Sequence, residues 1–201
     1  MLSSYPIHFL PNLFAVDIGS RFSIGANKYK IHIVEDACMG IGAKVDGKKP
    51  GNFGIVNAFS MHPLKPLNVM GDGGMVLTNN DQIAMWCKRY RNHGMIDRDH
   101  ISSWGVNMRL QPLQAIVANI ELKKVRKVIN IRNRNARLLD KHLSNIDGVS
   151  IPERKKNHTE TFALYMARFR KRDKLKSYLI KNKIEQSRKS NAKFVSPTQI
   201  A

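Results

Sequence analysis

The feature that most restricts the fold is a short apolar run at residues 31–34 that ends at two acids, Glu35 and Asp36. The run is short and β-branched, which favours a buried strand over an amphipathic helix. In open α/β sheets, ligands bind outside the carboxyl ends of the strands. The pattern therefore predicts an α/β fold in which this strand carries two carboxylates to a ligand-binding edge.

Two more strands and a tight turn are predicted after this strand. Asp46 and Gly47 form a pair that is typical of a hairpin turn, because both residue types tolerate positive φ. Apolar residues at 55–59 predict a second buried strand that ends near Ser60, and residues 75–78 predict a third.

Lys65 lies between these strands in a segment that cannot be helical. Pro63 and Pro66 bias the residues that precede them, His62 and Lys65, towards extended conformations. The glycine cluster at 71–74 follows and allows close approach of the backbone. The sequence therefore predicts that Lys65 is held on a loop at the edge of the sheet.

Helical patterns fill much of the second half of the chain. Asn79 with Gln82 resembles a capping pair, and the helix that it starts is predicted to stop at Gly94. An apolar stripe that begins at Pro112 predicts one unusually long helix up to Gly148. A strand, a second strand and a helix of a smaller α+β unit are then predicted at residues 149–152, 161–169 and 173–184.

Charge suggests an alternative function. The chain has 34 Lys plus Arg against 15 Asp plus Glu, a formal net charge of +19, which favours polyanions whatever the fold. However, a solvated helix face accounts for many basic residues, and the aromatic residues do not alternate with them as a base-stacking platform requires. No helix-turn-helix, RNP or zinc-finger pattern is present, so a basic nucleic-acid-binding protein is the weaker hypothesis.

Cysteine and histidine patterns exclude several kinds of site. Cys38 and Cys87 are far apart and form no CxxC pair, which argues against a disulfide scaffold and indicates a reducing cytoplasm. The histidines show no metal-ligand spacing, so no metal is expected. No apolar run approaches the length of a membrane span, and the first residues lack a basic leader. We expect a cytoplasmic protein without a membrane partner.

The strand-end residues together offer the parts of a pyridoxal phosphate site. Lys65 supplies an amine for a Schiff base, Asp36 an acid that can pair with the pyridine nitrogen, and Ser60 a hydroxyl for the phosphate. The same residues could also be ordinary sheet-edge and turn residues. Spacing alone leaves both interpretations open.

Six linked motifs resemble, in order and spacing, the DegT/DnrJ/EryC1/StrS aminotransferases. The motifs are IVEDA at 33–37, GNFG at 51–54, FSMHPLK at 59–65, GDGG at 71–74, RNHG at 91–94 and GVNMRL at 105–110. The resemblance runs from about residue 28 to residue 184. It implies the fold-type I architecture of pyridoxal phosphate-dependent transferases, and amino transfer, usually from glutamate, to a keto group of a nucleotide-linked sugar.

The resemblance also implies roles for individual residues. Lys65 matches the Schiff-base lysine, which would also shuttle a proton, Asp36 the acid under the pyridine nitrogen, and Ser60 the hydroxyl that helps to hold the phosphate. Asn107 matches a residue that reaches the phosphate from the neighbouring subunit, which implies a homodimer with shared sites. Arg109, in the same motif, is expected to bind substrate.

Three departures from the family pattern predict a fragment. Met39 stands where the family commonly has a glutamine near the phenolic oxygen of the cofactor, and the two ends of the chain do not resemble the family's flanking parts. An inactive truncated fragment is therefore the other alternative to an active enzyme. The predicted organisation is an unassigned segment at 1–27, a partial large cofactor-binding domain with a long connecting helix at 28–148, a partial small domain at 149–185 and an unassigned tail at 186–201.

Overall fold

A computed structural model describes residues 7–10, 25–26 and 28–184. Its strands are β1 (Ile7–Leu10), β2 (His32–Asp36), β3 (Lys44–Val45), β4 (Val56–Ser60), β5 (Gly74–Leu77), β6 (Val149–Ser150), β7 (His158–Thr159) and β8 (Arg168–Phe169). Its main helices are α1 (Asp81–Tyr90), α2 (Pro112–Leu122), α3 (Val125–Leu143) and α4 (Arg172–Lys181). No helix within the described ranges is both long and apolar enough to cross a membrane.

The largest sheet has the strand order β1-β2-β4-β5. Strands β1, β2 and β4 are parallel, whereas β5 runs antiparallel to β4. Burial alternates along β2 and β4, as expected where one face of a strand packs on a core. The three strands predicted from apolar runs are therefore confirmed.

β1 lies in the segment that the sequence left unassigned. It pairs in parallel with β2 over four residues, although no clear periodicity marks it in the sequence. The rest of the segment 1–27, apart from residues 25–26, and the predicted tail at 186–201 lie outside the described residues.

The predicted hairpin turn is confirmed. Asp46 and Gly47 both have positive φ, at 49° and 78°, which is the conformation of a two-residue type I′ turn. Val45 and Lys48 on either side exchange two backbone hydrogen bonds of 2.9 Å. The Asp46 carboxylate also accepts a hydrogen bond from the side-chain amide of Asn157, next to β7, which pairs with β3.

The main hydrophobic cluster joins the segment around Lys65 to helix α3. Met61, Leu67 and Val69 come from this segment, and Val125 and Ile129 come from the first turns of α3. The side chains of Met61 and Val69 are 1% and 0% exposed. The loop that carries Lys65 therefore begins and ends in the core.

Helix α1 differs from its prediction at both ends. Its N-cap is Asn80, not Asn79, because the Asn80 side chain accepts a 3.0 Å hydrogen bond from the backbone N–H of Ile83. The helix ends at Tyr90, before Gly94. Gly94 has a φ of 74° in the turn that follows, where its N–H bonds back to the last turn of the helix.

The prediction of one continuous helix up to Gly148 is wrong. A tight turn separates α2 from α3, in which the N–H of Lys124 donates to the carbonyl of Glu121, three residues back, at 2.8 Å. Beyond this turn Val125 and Ile129 are buried, whereas α2 has no buried residue. Helix α3 also ends before Gly148, which has a φ of 78°.

The prediction of a continuous strand at 161–169 is also wrong, because only β8 is extended and paired there. Thr161 is buried, and its Oγ1 donates to the carbonyl of Met39 at 2.8 Å. Phe162 has a φ of 44°, and its carbonyl accepts a 3.4 Å hydrogen bond from Arg132. The Arg132 side chain thus bonds to the backbone at Phe162 in place of a neighbouring strand.

The chain divides into two compact units. The larger unit contains residues up to Leu139 together with Glu153–Tyr165, and the smaller contains Asp140–Pro152 and the residues from Met166 onward. In the smaller unit β6 pairs antiparallel with β8, and helix α4 follows, so the strand and helix predicted at 149–152 and 173–184 are confirmed in shortened form. The domain limits derived from the sequence stay a prediction.

We expect Met61→Ala to lower the free energy of unfolding by about 2–5 kcal/mol, because it leaves a cavity in the core below the Lys65 loop. Met70→Ala is the matched control, since Met70 is 80% exposed. Urea unfolding followed by circular dichroism measures both. Equal midpoints for the two variants would contradict this assignment of the core.

Candidate active site

The two acids at the end of β2 have different surroundings. Glu35 is 2% exposed, and its carboxylate accepts backbone hydrogen bonds from Gly51 and Phe53 at 3.0 and 3.1 Å. Asp36 is partly exposed, on the opposite face of the strand, because successive side chains of a strand point to opposite faces. The expectation that both carboxylates reach the ligand edge is therefore wrong: Glu35 holds a turn, and Asp36 alone remains for ligand chemistry.

Ser60 lies at the end of the neighbouring strand, on the same face as Asp36. Asp36 is in register with Ala58 on β4, and Ser60 is two residues further along that strand. Because the side-chain period of a strand is two, Ala58 and Ser60 share a face with Asp36. The Ser60 hydroxyl accepts a 3.3 Å hydrogen bond from the N–H of His62, at the start of the lysine loop.

Lys65 is held on a turn, as predicted. Its N–H donates to the carbonyl of His62 at 2.8 Å, and the His62 Nδ1 accepts a 3.2 Å hydrogen bond from the N–H of Leu64. Pro66 and Leu67 immediately after it are buried. Lys65 itself is half-buried, between an exposed loop tip and the core.

Arg132 on α3 supports this turn, a role that sequence reasoning missed. Its Nη2 donates to the carbonyl of Leu64 at 3.2 Å and its Nη1 to the carbonyl of Phe162 at 3.4 Å. Burial lowers the pKa of the Arg132 guanidinium below its ordinary value. The sequence predicts that the basic residues of this helix lie on a solvated face, and no local signal separates Arg132 from the others.

Cys38 lies beside Asp36 and is influenced by the charges of both Asp36 and Lys65. The pKa of its thiol is raised to about 11, first by burial and then by a hydrogen bond to Asp36 and the negative charge of Asp36. The positive charge of Lys65 acts in the opposite direction. The Cys38 N–H donates to Asp36 Oδ1 at 3.1 Å, and its Sγ lies 3.7 Å from the carbonyl oxygen of Ala58.

The glycine cluster at 71–74 brings β5 close to the lysine loop. A Cβ on Gly73 would lie 2.7 Å from a methyl group of Val69, and one on Gly74 would lie 2.8 Å from the carbonyl of Phe59. The close approach that these glycines allow is thus to the protein's own core. The carbonyl of Asp72 accepts a 3.0 Å hydrogen bond from Gln114 on α2, which fixes the turn.

Asn107 and Arg109 lie together in the segment between helices α1 and α2. Arg109 Nε donates to Asn107 Oδ1 at 3.1 Å, and both residues are exposed. The segment is fixed by a bridge between Asn107 and Asn92, after helix α1. Within the described residues, the side-chain partner of Asn107 is Arg109, so the structure does not join this pair to Lys65.

The chemistry of the residues around Lys65 fits pyridoxal phosphate. An amine, a carboxylate and a hydroxyl stand at the carboxyl ends of two adjacent parallel strands and the loop that follows them. Met39, at the position where a glutamine was expected, has a thioether side chain that cannot donate a hydrogen bond. Among the described residues, no group of three or more His, Cys, Asp or Glu could hold a metal ion.

We expect Cys38 to alkylate about fifty-fold more slowly at pH 9 in the folded protein than in urea, because a thiol pKa of about 11 leaves roughly 1% thiolate there. The sign follows from the raised pKa: the folded state keeps the proton between pH 9 and 11, whereas the unfolded chain loses it. Iodoacetamide kinetics in a Cys87→Ser background measure the rate.

The same assay tests the neighbours of Cys38. Asp36→Asn removes an acceptor and a negative charge, so alkylation becomes faster, whereas Lys65→Met removes a positive charge and slows it. Rates that do not change in either variant would show that the three groups do not share one site.

Comparison with known proteins supports the fold and the motifs. The chain is 34% identical over 154 residues to UDP-2-acetamido-2-deoxy-3-oxo-D-glucuronate aminotransferase of Pseudomonas aeruginosa, which covers 77% of this chain and 43% of that relative. It is 32% identical to dTDP-3-amino-3,4,6-trideoxy-alpha-D-glucose transaminase of Streptomyces venezuelae, over 77% of this chain and 41% of the relative. The chain therefore spans less than half the length of these relatives.

Solved structures agree with the sequence relatives. The crystal structure of S. venezuelae DesV superposes with a TM-score of 0.81 at 28% identity, over 92% of this chain and 50% of that chain. The predicted α/β fold of the sugar aminotransferases is thereby confirmed. The sequence model of the DegT/DnrJ/EryC1/StrS aminotransferase family matches residues 15–192. With most of its length matched in both sequence and fold, the chain belongs to this family.

Proposed function

We propose that this chain carries the lysine-bearing part of a pyridoxal phosphate-dependent aminotransferase, which moves an amino group, usually from glutamate, to a keto group of a nucleotide-linked sugar. The observation that carries the proposal is the placement of Asp36 and Ser60 on one face at the carboxyl ends of the parallel strands β2 and β4, with Lys65 on the turn that follows β4. The family membership supports the same reaction class.

Each strand-end residue has a defined task in this proposal. Pyridoxal phosphate, when bound, supplies a ring that accepts the electron pair released at the substrate carbon. Lys65 Nζ would hold the cofactor through a Schiff base, and the same amine would carry a proton to and from the substrate. The Asp36 carboxylate keeps the pyridine nitrogen protonated, and the Ser60 hydroxyl helps to hold the phosphate.

Asn107 and Arg109 are proposed to act at a neighbouring subunit's site. Both side chains are exposed, which is compatible with contacts across a homodimer interface. Asn107 would reach the phosphate of the partner's cofactor, and Arg109 would bind substrate. UDP- and dTDP-linked sugars are the substrate classes that the names of the relatives suggest. A cytoplasmic enzyme of polysaccharide biosynthesis is the setting we propose.

We expect pyridoxal phosphate, followed by borohydride reduction, to label Lys65 in preference to other lysines. Mass spectrometry of the digested chain locates the label. Lys44 is the internal control, because it is exposed on β3 and has the same intrinsic reactivity. Asp36→Asn should reduce labelling at Lys65 and leave labelling at Lys44 unchanged, since it removes the partner of the ring nitrogen.

Equal labelling of Lys65 and Lys44 would overturn the proposal of a cofactor site. The remaining question is turnover, because the chain spans less than half of its named relatives. Formation of 2-oxoglutarate from glutamate, measured in protein that was incubated with pyridoxal phosphate and not reduced, separates an active enzyme from a chain that binds the cofactor without activity. Lys65→Ala is the blank for both measurements.

A further inference from the structure

A basic groove lies along the first turns of α3, away from the residues assigned above. It has a volume of about 480 Å³ and is lined by Lys123, Arg126, Lys127, Asn130, Ile131 and Arg134. The lining residues from Arg126 onward recur at spacings of three and four, so they share one side of α3, and Lys123 lies in the turn just before it. All of them are exposed, whereas Val125 and Ile129 on the opposite side are buried.

The four cations of the basic groove have no acidic partner within the part of the chain that the structure describes. By contrast, Lys124, outside the groove, forms a 2.7 Å ion pair with Glu121. Like charges three or four residues apart on a helix repel, as Lys123 does with both Arg126 and Lys127. A bound anion would remove this repulsion.

We infer that the basic groove binds the phosphate backbone of duplex nucleic acid without sequence preference. Positions 126 to 134 extend about 12 Å along α3, and Lys123 lies in the turn just before this helix. A duplex presents one negative charge per roughly 1.7 Å of its axis, about seven charges over that length alone, so each of the four cations can meet a phosphate. The guanidinium groups of Arg126 and Arg134 can each bind a phosphate through two N–H donors.

Other occupants fit the basic groove less well. A second copy of this chain has 34 Lys plus Arg against 15 Asp plus Glu, so it offers few acidic side chains to neutralise the groove. Single-stranded nucleic acid binds through aromatic stacking platforms, and no aromatic residue lines the groove.

The test is fluorescence anisotropy of the full chain with a labelled 24-base-pair duplex at 50 to 200 mM salt. Four phosphate contacts predict a slope of log K against log salt of about −3.6, and therefore a loss of affinity of about 150-fold over that range. Lys123→Gln with Lys127→Gln removes two contacts, so the slope should fall to about −1.8.

Lys174→Gln with Lys176→Gln is the matched control, since it removes the same charge from exposed positions on α4. It should change the slope by less than about 0.5. Equal slopes for the two double variants, with both folded by circular dichroism, would overturn the inference. So would the absence of duplex binding at 50 mM salt, or equal competition by polyglutamate or by a single strand at the same charge concentration.

Discussion

The burial of Met61, Leu67 and Val69 against the start of α3 is the constraint on which the rest of the larger unit depends. These residues come from both sides of the lysine loop, so the loop cannot move without opening the core. Gly73 then has to be a glycine, because a Cβ there would overlap Val69. Packing of three aliphatic side chains thus places Lys65 at the sheet edge, and the chemistry of the site follows from that placement.

Successive side chains of β2 point to opposite faces, and this alternation gives Glu35 and Asp36 different surroundings. Glu35 faces inward, where two backbone N–H groups satisfy its charge, and Asp36 faces the side on which Ser60 stands. A buried carboxylate is tolerated only where such donors are present. Burial and the negative charge of Asp36 raise the pKa of the Cys38 thiol, which makes it a poorer nucleophile.

Helix α3 shows how one element can serve two surfaces. Its inner side contributes Val125 and Ile129 to the core, and Arg132 holds the lysine loop through the carbonyl of Leu64. Its outer side carries the cations of the basic groove, among them Arg134, only two residues from Arg132. Each residue of a helix is rotated by about 100° from the one before it, so the two arginines face different sides. Arg132 contacts the protein, and Arg134 faces solvent.

Local sequence determined the strands β2, β4 and β5, the hairpin turn at Asp46 and the loop at Lys65, because strand periodicity, positive φ and proline sterics depend on neighbouring residues. Only the tertiary structure decided that Glu35 is buried against the turn at Gly51 while Asp36 lies on the same face as Ser60, and that the Arg132 side chain bonds to the backbone of Phe162. It also decided that α2 and α3 are separate and that β1 pairs with β2. Those outcomes depend on contacts between residues far apart in the chain, such as Glu35 with Gly51, which no local pattern records.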